Sequence, residues 1–304
     1  MNWQKLTDLK AQLDTFRPLP PALLRNLEEW FRVELTYSSN AIEGNTLTRQ
    51  ETALVVEKGL IVGGKTLTEH LEATNHAKAL DWVREQVKRK PRDLEERDLL
   101  TLHELVLRGI DDAHAGRYRN IPVRIAGSTT VLPNPRKVPE LMVAFVAWME
   151  NEEDLHPVAL AAEAHFRLVT IHPFVDGNGR TARLLMNLLL LMAGYPPAII
   201  RPEDRIAYLN ALESAQTGGP KAAYNQLIHE AVKRSLIIYL EALGGRASIP
   251  PERLLYGCQA KGDLIDYVRL KDDVGFQAAM DLLSQQPTVF RKSPSPGKTV
   301  IDRL

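Results

Sequence analysis

The 304-residue sequence has one cysteine, Cys258, few aromatic residues and no excess of charge of either sign. A single cysteine excludes a disulfide within the chain and is typical of a reducing compartment. The 38 basic residues balance the 38 acidic ones, so the net charge indicates no attraction to nucleic acid or a membrane. The chain has no apolar run of membrane-spanning length, and residues 1–5 do not resemble a signal peptide. We therefore expect a cytoplasmic protein.

Apolar residues recur with helical spacing through most of the chain, which predicts an all-α fold. The predicted helices span residues 3–15, 20–43, 68–89, 93–109, 138–151, 156–171, 178–193, 203–216 and 221–243. Alternating β-branched residues at 123–132 predict one short β-hairpin. A Gly- and Pro-containing stretch at 244–251 predicts a linker, with two short helices after it at 252–270 and 274–285. We expect a helical extension at 1–19, a core domain at 20–243 and a small region of unknown role at 246–304.

The most informative stretch is residues 172–183, which read His-Pro-Phe-Val-Asp-Gly-Asn-Gly-Arg-Thr-Ala-Arg. Apolar runs of helical length flank it, so it predicts a helix, a tight loop and a second helix. A glycine-rich helix start offers unpaired N–H groups and the positive end of the helix dipole to an anion. Arg180 and Arg183 are three residues apart and lie on one face of that helix. His172 can accept a proton near neutral pH, and Asp176 can bind Mg²⁺. The pattern predicts a polyphosphate site beside a base.

These residues resemble the complete signature of the Fic-domain family, whose best-known members are protein adenylyltransferases. The resemblance implies a Fic-type helical core with a β-hairpin flap, and transfer of AMP from Mg-ATP to a Ser, Thr or Tyr hydroxyl of a protein. It also implies a role for each position. His172 is the general base, Phe174 packs in the core, and Asp176 holds Mg²⁺. The remaining positions bind ATP: Gly177, Asn178 and Gly179 cradle the phosphates, with the Asn178 amide on the α-phosphate, Arg180 contacts the β-phosphate region, and Arg183 contacts the γ-phosphate.

A second motif lies upstream, where Ser39-Asn40-Ala41-Ile42-Glu43-Gly44-Asn45 closes a long amphipathic helix. A carboxylate beside the negative end of a helix dipole needs a cationic partner. The motif is similar to the inhibitory motif of Fic proteins that carry it N-terminal to the core. The similarity implies that Glu43 pairs with Arg183 and displaces the γ-phosphate, and that Ser39, one turn earlier, holds the segment in place.

Two further segments bear on substrate binding. Gly116-Arg117-Tyr118-Arg119 leads into the predicted hairpin, which in Fic proteins is a flap that docks the target by strand pairing. We expect the tip of this flap, the residues that face the target, to be Gly127, Ser128, Thr129, Thr130 and Val131. By the same resemblance Tyr208 contacts adenine, although a core position suits a tyrosine there almost as well. Gln216 and Gly219 depart from the usual family pattern, so the resemblance leaves the preferred nucleotide open.

The leading hypothesis is thus an autoinhibited protein adenylyltransferase that uses ATP and Mg²⁺ and modifies an unidentified protein target as well as itself. The reverse reaction, removal of AMP with Glu43 activating water, uses the same residues. A nucleotide-binding sensor or scaffold is the alternative from another class, although pure binding needs no base at His172. The sequence leaves open whether the chain forms a homodimer. His165 lies seven residues before His172, about 10 Å along a helix, which is too far for the two rings to share a metal ion.

Overall fold

The computed structural model describes residues 2–244, which contain ten α-helices and no β-strand. The prediction of an all-α fold is confirmed, while the helices predicted at 252–270 and 274–285 lie outside the described residues. The helices are α1 (Gln4–Asp14), α2 (Pro21–Ile42), α3 (Arg49–Lys58), α4 (Leu67–Gln86), α5 (Glu96–Leu107), α6 (Val138–Asn151), α7 (Pro157–Ile171), α8 (Asn178–Met192), α9 (Arg205–Gln216) and α10 (Ala222–Ala242).

The chain divides into two compact units. Among the described residues, the larger comprises residues 2–11 and 30–236, and the smaller comprises residues 12–29 and 237–244. Every site residue discussed below belongs to the larger unit. The predicted domain boundaries near residues 19 and 245 stay a prediction. None of the described helices combines the length and the hydropathy needed to cross a membrane.

Helix α8 is the centre of the larger unit. Residues 184–190 are all buried, so this helix is enclosed on every side instead of showing a single apolar stripe. Its most extensive neighbour is α7, and α4 and α5 also pack on it and on each other. The two helices that flank residues 172–177 are therefore the best supported in the unit, which gives the loop between them rigid ends.

Helix α3 was absent from the sequence-based prediction. It is short, and both of its ends are set by local chemistry. Thr48 and Glu51 form a capping box at its start, and Gly59 ends it in the left-handed conformation with φ 63°. The capping signal is visible in the sequence, but a ten-residue helix shows too few turns for a clear apolar period. The predicted helix at 93–109 also begins later, at Glu96, after a 3₁₀ turn at Pro91–Asp93.

The predicted β-hairpin is not formed in the described chain. Residues 121–133, which we call the flap loop, contain a turn closed by a hydrogen bond from Ser128 N to Ile125 O at 3.1 Å, and its two arms make no ladder. The polar groups of the arms bond elsewhere. The Arg119 guanidinium binds the carbonyls of Ile121 and Pro133, and Glu213 on α9 binds Thr129. These partners take the place of strand pairing.

Candidate active site

His172 lies directly after α7 in a strained conformation. Its φ of 50° and ψ of 60° are left-handed, and it is the one non-glycine residue with positive φ in the described range. Such a conformation costs of order 1–3 kcal/mol and persists only where the surroundings hold it. Here it turns the chain sharply from α7 into the loop and places the imidazole at the loop entrance.

The His172 ring has a defined protonation state. Its Nδ1 lies 3.3 Å from Val169 O, and because a carbonyl only accepts, Nδ1 must carry the proton. Burial lowers the pKa of His172, which Val169, Glu43 and Asp176 oppose and Arg119 reinforces. At neutral pH the ring is therefore neutral and its Nε2 has a free lone pair, as a general base requires.

Arg119 holds the backbone around His172. Its Nε donates to His172 O at 2.7 Å, and its backbone N–H donates to Pro173 O at 2.9 Å. Only 2% of the residue is exposed. Two successive carbonyls of the strained turn are thus bound by one residue that lies 53 positions earlier in the chain.

His103 on α5 holds the middle of the loop. Its ring stacks on Phe174 with 3.6 Å between centroids and 4° between planes. The ring Nδ1 accepts from Gly116 N at 3.0 Å, so Nε2 carries the proton and donates to Asp176 O at 2.9 Å. Burial lowers the pKa of His103 to about 4, and the neutral tautomer is therefore kept at neutral pH. The expectation that Phe174 packs in the core agrees with its 0% exposure.

Asn178 closes the loop on itself. Its Oδ1 accepts from Phe174 N and its Nδ2 donates to Phe174 O, both at 2.9 Å. This buried side chain thereby satisfies both backbone polar groups of Phe174. The side-chain amide of Asn178 is committed to the loop, so the groups left for an anion are the backbone N–H groups that open α8.

The start of α8 is suited to bind an anion, and the carboxylate of Glu43 lies against it. Gly177 precedes the helix with φ 76°, and Gly179 lies in the first turn. A Cβ on Gly179 would overlap Oε1 of Glu43. The carboxylate of Glu43 therefore lies against the first turn of α8, where the helix dipole and unpaired N–H groups favour a negative charge.

Arg183 joins the two sequence motifs in space. Its Nη2 lies 2.7 Å from Glu43 Oε1 and 2.9 Å from Ser39 O, and its Nε donates to Ser39 Oγ at 2.9 Å. The guanidinium is 5% exposed and the Glu43 side chain 37%. Burial lowers the pKa of Arg183, but the charges and hydrogen bonds of Glu43 and Tyr208 together more than offset it, so the pKa is raised and the charge is retained.

Arg180 and Asp176 form a second ionic group. Arg180 is buried and donates to Glu72 Oε1 on α4 and to Asp176 Oδ2, both at 2.9 Å. The Asp176 side chain is 65% exposed. Glu72 also accepts from Asn45 Nδ2 at 2.8 Å, which connects the end of the upstream motif to the signature loop. No cluster of three acidic, His or Cys side chains suited to a metal occurs in the part of the chain that the structure describes.

Tyr208 lies in the core. It is 1% exposed, and its hydroxyl is 2.8 Å from His165 Nε2, while Tyr224 contacts the other nitrogen of that ring at 2.8 Å. Burial raises the pKa of Tyr208 to about 12 and lowers that of His165 to about 3. In this conformation the Tyr208 ring offers no face to an adenine base.

The flap tip is tied to α9. Thr129 donates through its backbone N–H and its hydroxyl to Glu213 Oε1, at 2.7 and 2.8 Å. Thr130 donates to Gln216 Oε1 at 3.4 Å, and Gln216 Nε2 donates to Thr170 on α7 at 3.3 Å. Val131, also predicted at the tip, is 93% exposed.

The structure thus brings residues 172–183 together with Ser39 and Glu43. Tyr208 is buried, and the predicted flap tip, residues 127–131, contacts α9. Sequence analysis missed the supports His103 and Glu72, and it gave Arg119 no role beyond the Gly-x-Tyr-Arg pattern. These residues lie 53 to 108 positions from the residues that they contact. A buried histidine within an apolar helix face was the available signal for His103, but it does not reveal its partner.

Comparison with known proteins agrees with this geometry. Residues 93–190 match the model of the Fic/DOC family. Relatives include the protein adenylyltransferases Fic of Nematostella vectensis, 40% identical over 67% of this chain and 48% of the relative, and of Culex quinquefasciatus, 35% identical over 79% and 48%. The solved structure of Fic-1 (residues 134–508) from C. elegans is 32% identical, with a TM-score of 0.69 over 78% of this chain and 70% of that one.

The chain therefore belongs to the Fic/DOC family. It spans about half the length of the curated relatives that it matches.

Proposed function

We propose that this chain is a protein adenylyltransferase that its own Glu43 holds in an inhibited state. The observation that carries the proposal is the ion pair of 2.7 Å between Glu43 and Arg183, beside a neutral base and an anion-binding helix start. Relatives named protein adenylyltransferase Fic support the reaction class. The acceptor we propose is a Ser, Thr or Tyr hydroxyl of a protein, including this chain itself.

In the proposed reaction the acceptor oxygen attacks the α-phosphorus of ATP. The bond from that phosphorus to the β-bridging oxygen breaks, pyrophosphate leaves, and the acceptor proton passes to Nε2 of His172. The N–H groups that open α8 would bind the phosphate oxygens, because glycine at 177 and 179 lets the nucleotide approach the backbone. We leave Tyr208 out of the proposed adenine site.

Asp176 fits the magnesium ion that accompanies ATP. Mg²⁺ keeps several waters and needs only one or two protein carboxylates when phosphates supply other ligands. Asp176 is an exposed carboxylate with one oxygen bonded to Arg180, and its carbonyl is fixed by His103. When bound, the ion would offset the negative charge that builds up on the departing pyrophosphate.

Inhibition follows from competition for one guanidinium. Arg183 is directed by Ser39 and Glu43, so a γ-phosphate must displace the carboxylate to reach it. The same carboxylate lies on the first turn of α8, which is the proposed phosphate cradle. The negative charge of Glu43 would thus lie both on the guanidinium of Arg183 and against the first turn of α8, where the negative γ-phosphate would have to bind.

The test is incorporation of α-phosphate-labelled ATP into protein in the presence of Mg²⁺. We expect Glu43→Gly to label itself far above wild type, and Glu57→Gly, an exposed helical glutamate away from the site, to match wild type after a folding check. In the Glu43→Gly background, His172→Ala should lower the rate by about 10²–10⁴-fold while ATP binding is kept.

Adding Arg183→Ala to Glu43→Gly should also impair transfer. Equal labelling of wild type and Glu43→Gly would retain the enzyme and reject the inhibition. No labelling of any variant, with ATP bound, would argue against the proposed transfer.

The reverse reaction is the second candidate. The observation in its favour is that the charge of Glu43 acts on His172, where it opposes the lowering of the pKa by burial, so a carboxylate that could orient water is present beside the base. An AMP-modified protein incubated with the chain distinguishes the two directions. Release of AMP that requires intact Glu43 would favour removal, whereas release unaffected by Glu43→Gln would not.

A further inference from the structure

Arg119 is a buried cation whose hydrogen-bond partners in the described chain are backbone carbonyls. Nε binds His172 O at 2.7 Å, Nη2 binds Pro133 O at 2.7 Å, and Nη1 binds Ile121 O at 3.2 Å. Burial lowers its pKa, and no acidic group opposes that shift. A buried charge without a counter-charge is costly, so the three carbonyls are the groups that compensate this cation in the described chain.

The three carbonyls belong to two structures with different roles. Ile121 and Pro133 are the two ends of the flap loop, whose tip we propose docks the target. His172 is the proposed general base in its strained turn. A guanidinium is a rigid plane with donors at fixed angles. A shift of either end of the loop must therefore move the plane, and with it the carbonyl of His172, or break a bond.

Docking of a target should displace the tip of the flap loop. Its Thr129 N–H is the type of group that strand pairing with a target uses, and it is bonded to Glu213, a half-exposed carboxylate. A docked target must replace this bond. The replacement alters the loop between residues 121 and 133, both ends of which are bound to Arg119.

We propose that Arg119 is a positioning residue that couples target docking on the flap loop to the orientation of His172. This proposal rests on the proposed function, and it adds a link between acceptor binding and the base. The guanidinium touches neither reacting atom; it acts through the backbone of the base.

The first experiment reads the coupling without activity. Imidazole signals of His172 are measured by ¹⁵N NMR in the whole chain, with and without deletion of residues 128–130. The deletion should shift the His172 signal when Arg119 is present and leave it nearly unchanged in the Arg119→Lys background, since an ammonium cannot bind three carbonyls in one plane. No shift in the presence of Arg119, or equal shifts in both backgrounds, would overturn the proposal.

The second experiment measures self-modification in the Glu43→Gly background. Arg119→Lys and the deletion should each lower the maximal rate by about 10–100-fold, because small misplacements of a catalytic group have effects of that order. Combined, they should be within about threefold of the worse single variant, as expected for two changes in one coupled unit. Multiplied effects, or a change confined to ATP binding, would contradict coupling.

Arg136→Lys is the matched control, since this exposed arginine follows the loop. It should leave both readouts unchanged, with thermal unfolding confirming that each variant is folded. If Glu43→Gly itself incorporates no label, the proposed function fails, whereas the NMR comparison still decides the coupling.

Discussion

Two parts of the site are held by different kinds of interaction: the loop at residues 172–178, and the contacts that Glu43 and Glu213 make. Residues 172–178 are fixed through their backbone, by Arg119, His103 and Asn178, all of them buried. The inhibitory contact and the flap contact are made instead by side-chain carboxylates, Glu43 and Glu213, which water reaches. The proposed catalytic residues are thus positioned before substrate binds, whereas the proposed inhibitory and docking contacts are made by carboxylates that water reaches.

The largest effect is expected from acid, which should lower the free energy of unfolding by protonating buried histidines. The pKa of His103 is lowered to about 4, and those of His76 and His165 to about 3, in each case chiefly by burial. The unfolded chain binds protons on these rings near pH 6.5, so it holds more protons than the folded state below that pH. Stability should fall as pH drops from 6.5 toward 4, with a slope of up to about 4 kcal/mol per pH unit for three rings.

Denaturant unfolding at a series of pH values checks this expectation. His103→Gln should reduce the slope by about 1.4 kcal/mol per pH unit. A free energy of unfolding that stays constant between pH 7 and pH 5 would show that these rings are not kept neutral by the fold.

Removing the two hydrogen bonds that Asn178 makes with Phe174 should have the next largest effect. Asn178→Ala leaves the buried N–H and carbonyl of Phe174 without partners, at about 1–3 kcal/mol for each group. Both unfolding stability and the transfer rate of the Glu43→Gly chain should drop. Asn210→Ala, an exposed asparagine on α9, should change neither. Transfer at the full rate despite lost stability would mean that the loop need not be preformed.

The smallest effect is expected at the exchangeable contact. Ser39→Ala removes one of the bonds that direct Arg183 while the Ser39 carbonyl and Glu43 remain. Self-labelling should rise about tenfold, equivalent to ~1.4 kcal/mol, and less than in Glu43→Gly. Ser38→Ala, the neighbouring buried serine, is the control. Labelling unchanged from wild type would show that Glu43 alone sets the inhibition.

The pH dependence of the transfer rate tests the same comparison at His172. The charge of Glu43 opposes the lowering of the His172 pKa by burial, so removing that carboxylate lowers the pKa further. The rate of the Glu43→Gly chain should therefore hold until pH falls below 6.5, the ordinary pKa of histidine. Self-labelling rates between pH 5 and 8 measure this, and a decline that begins above pH 6.5 would contradict a buried neutral base.

Local chemistry in the sequence was enough to predict the helix–loop–helix at 172–183 and most helices, because each depends on residues close in the chain or on a repeated apolar period. The pairing of Glu43 with Arg183, which lie 140 positions apart, was implied by the resemblance to a known family. Only the tertiary structure decided that His103 and Arg119 support the loop, that Asn178 is spent on Phe174, and that the flap arms do not pair. Those contacts depend on which helices pack together. Burial then selects the tautomers, the strained turn at His172 and the partners of each carbonyl, and neither spacing nor composition records that selection.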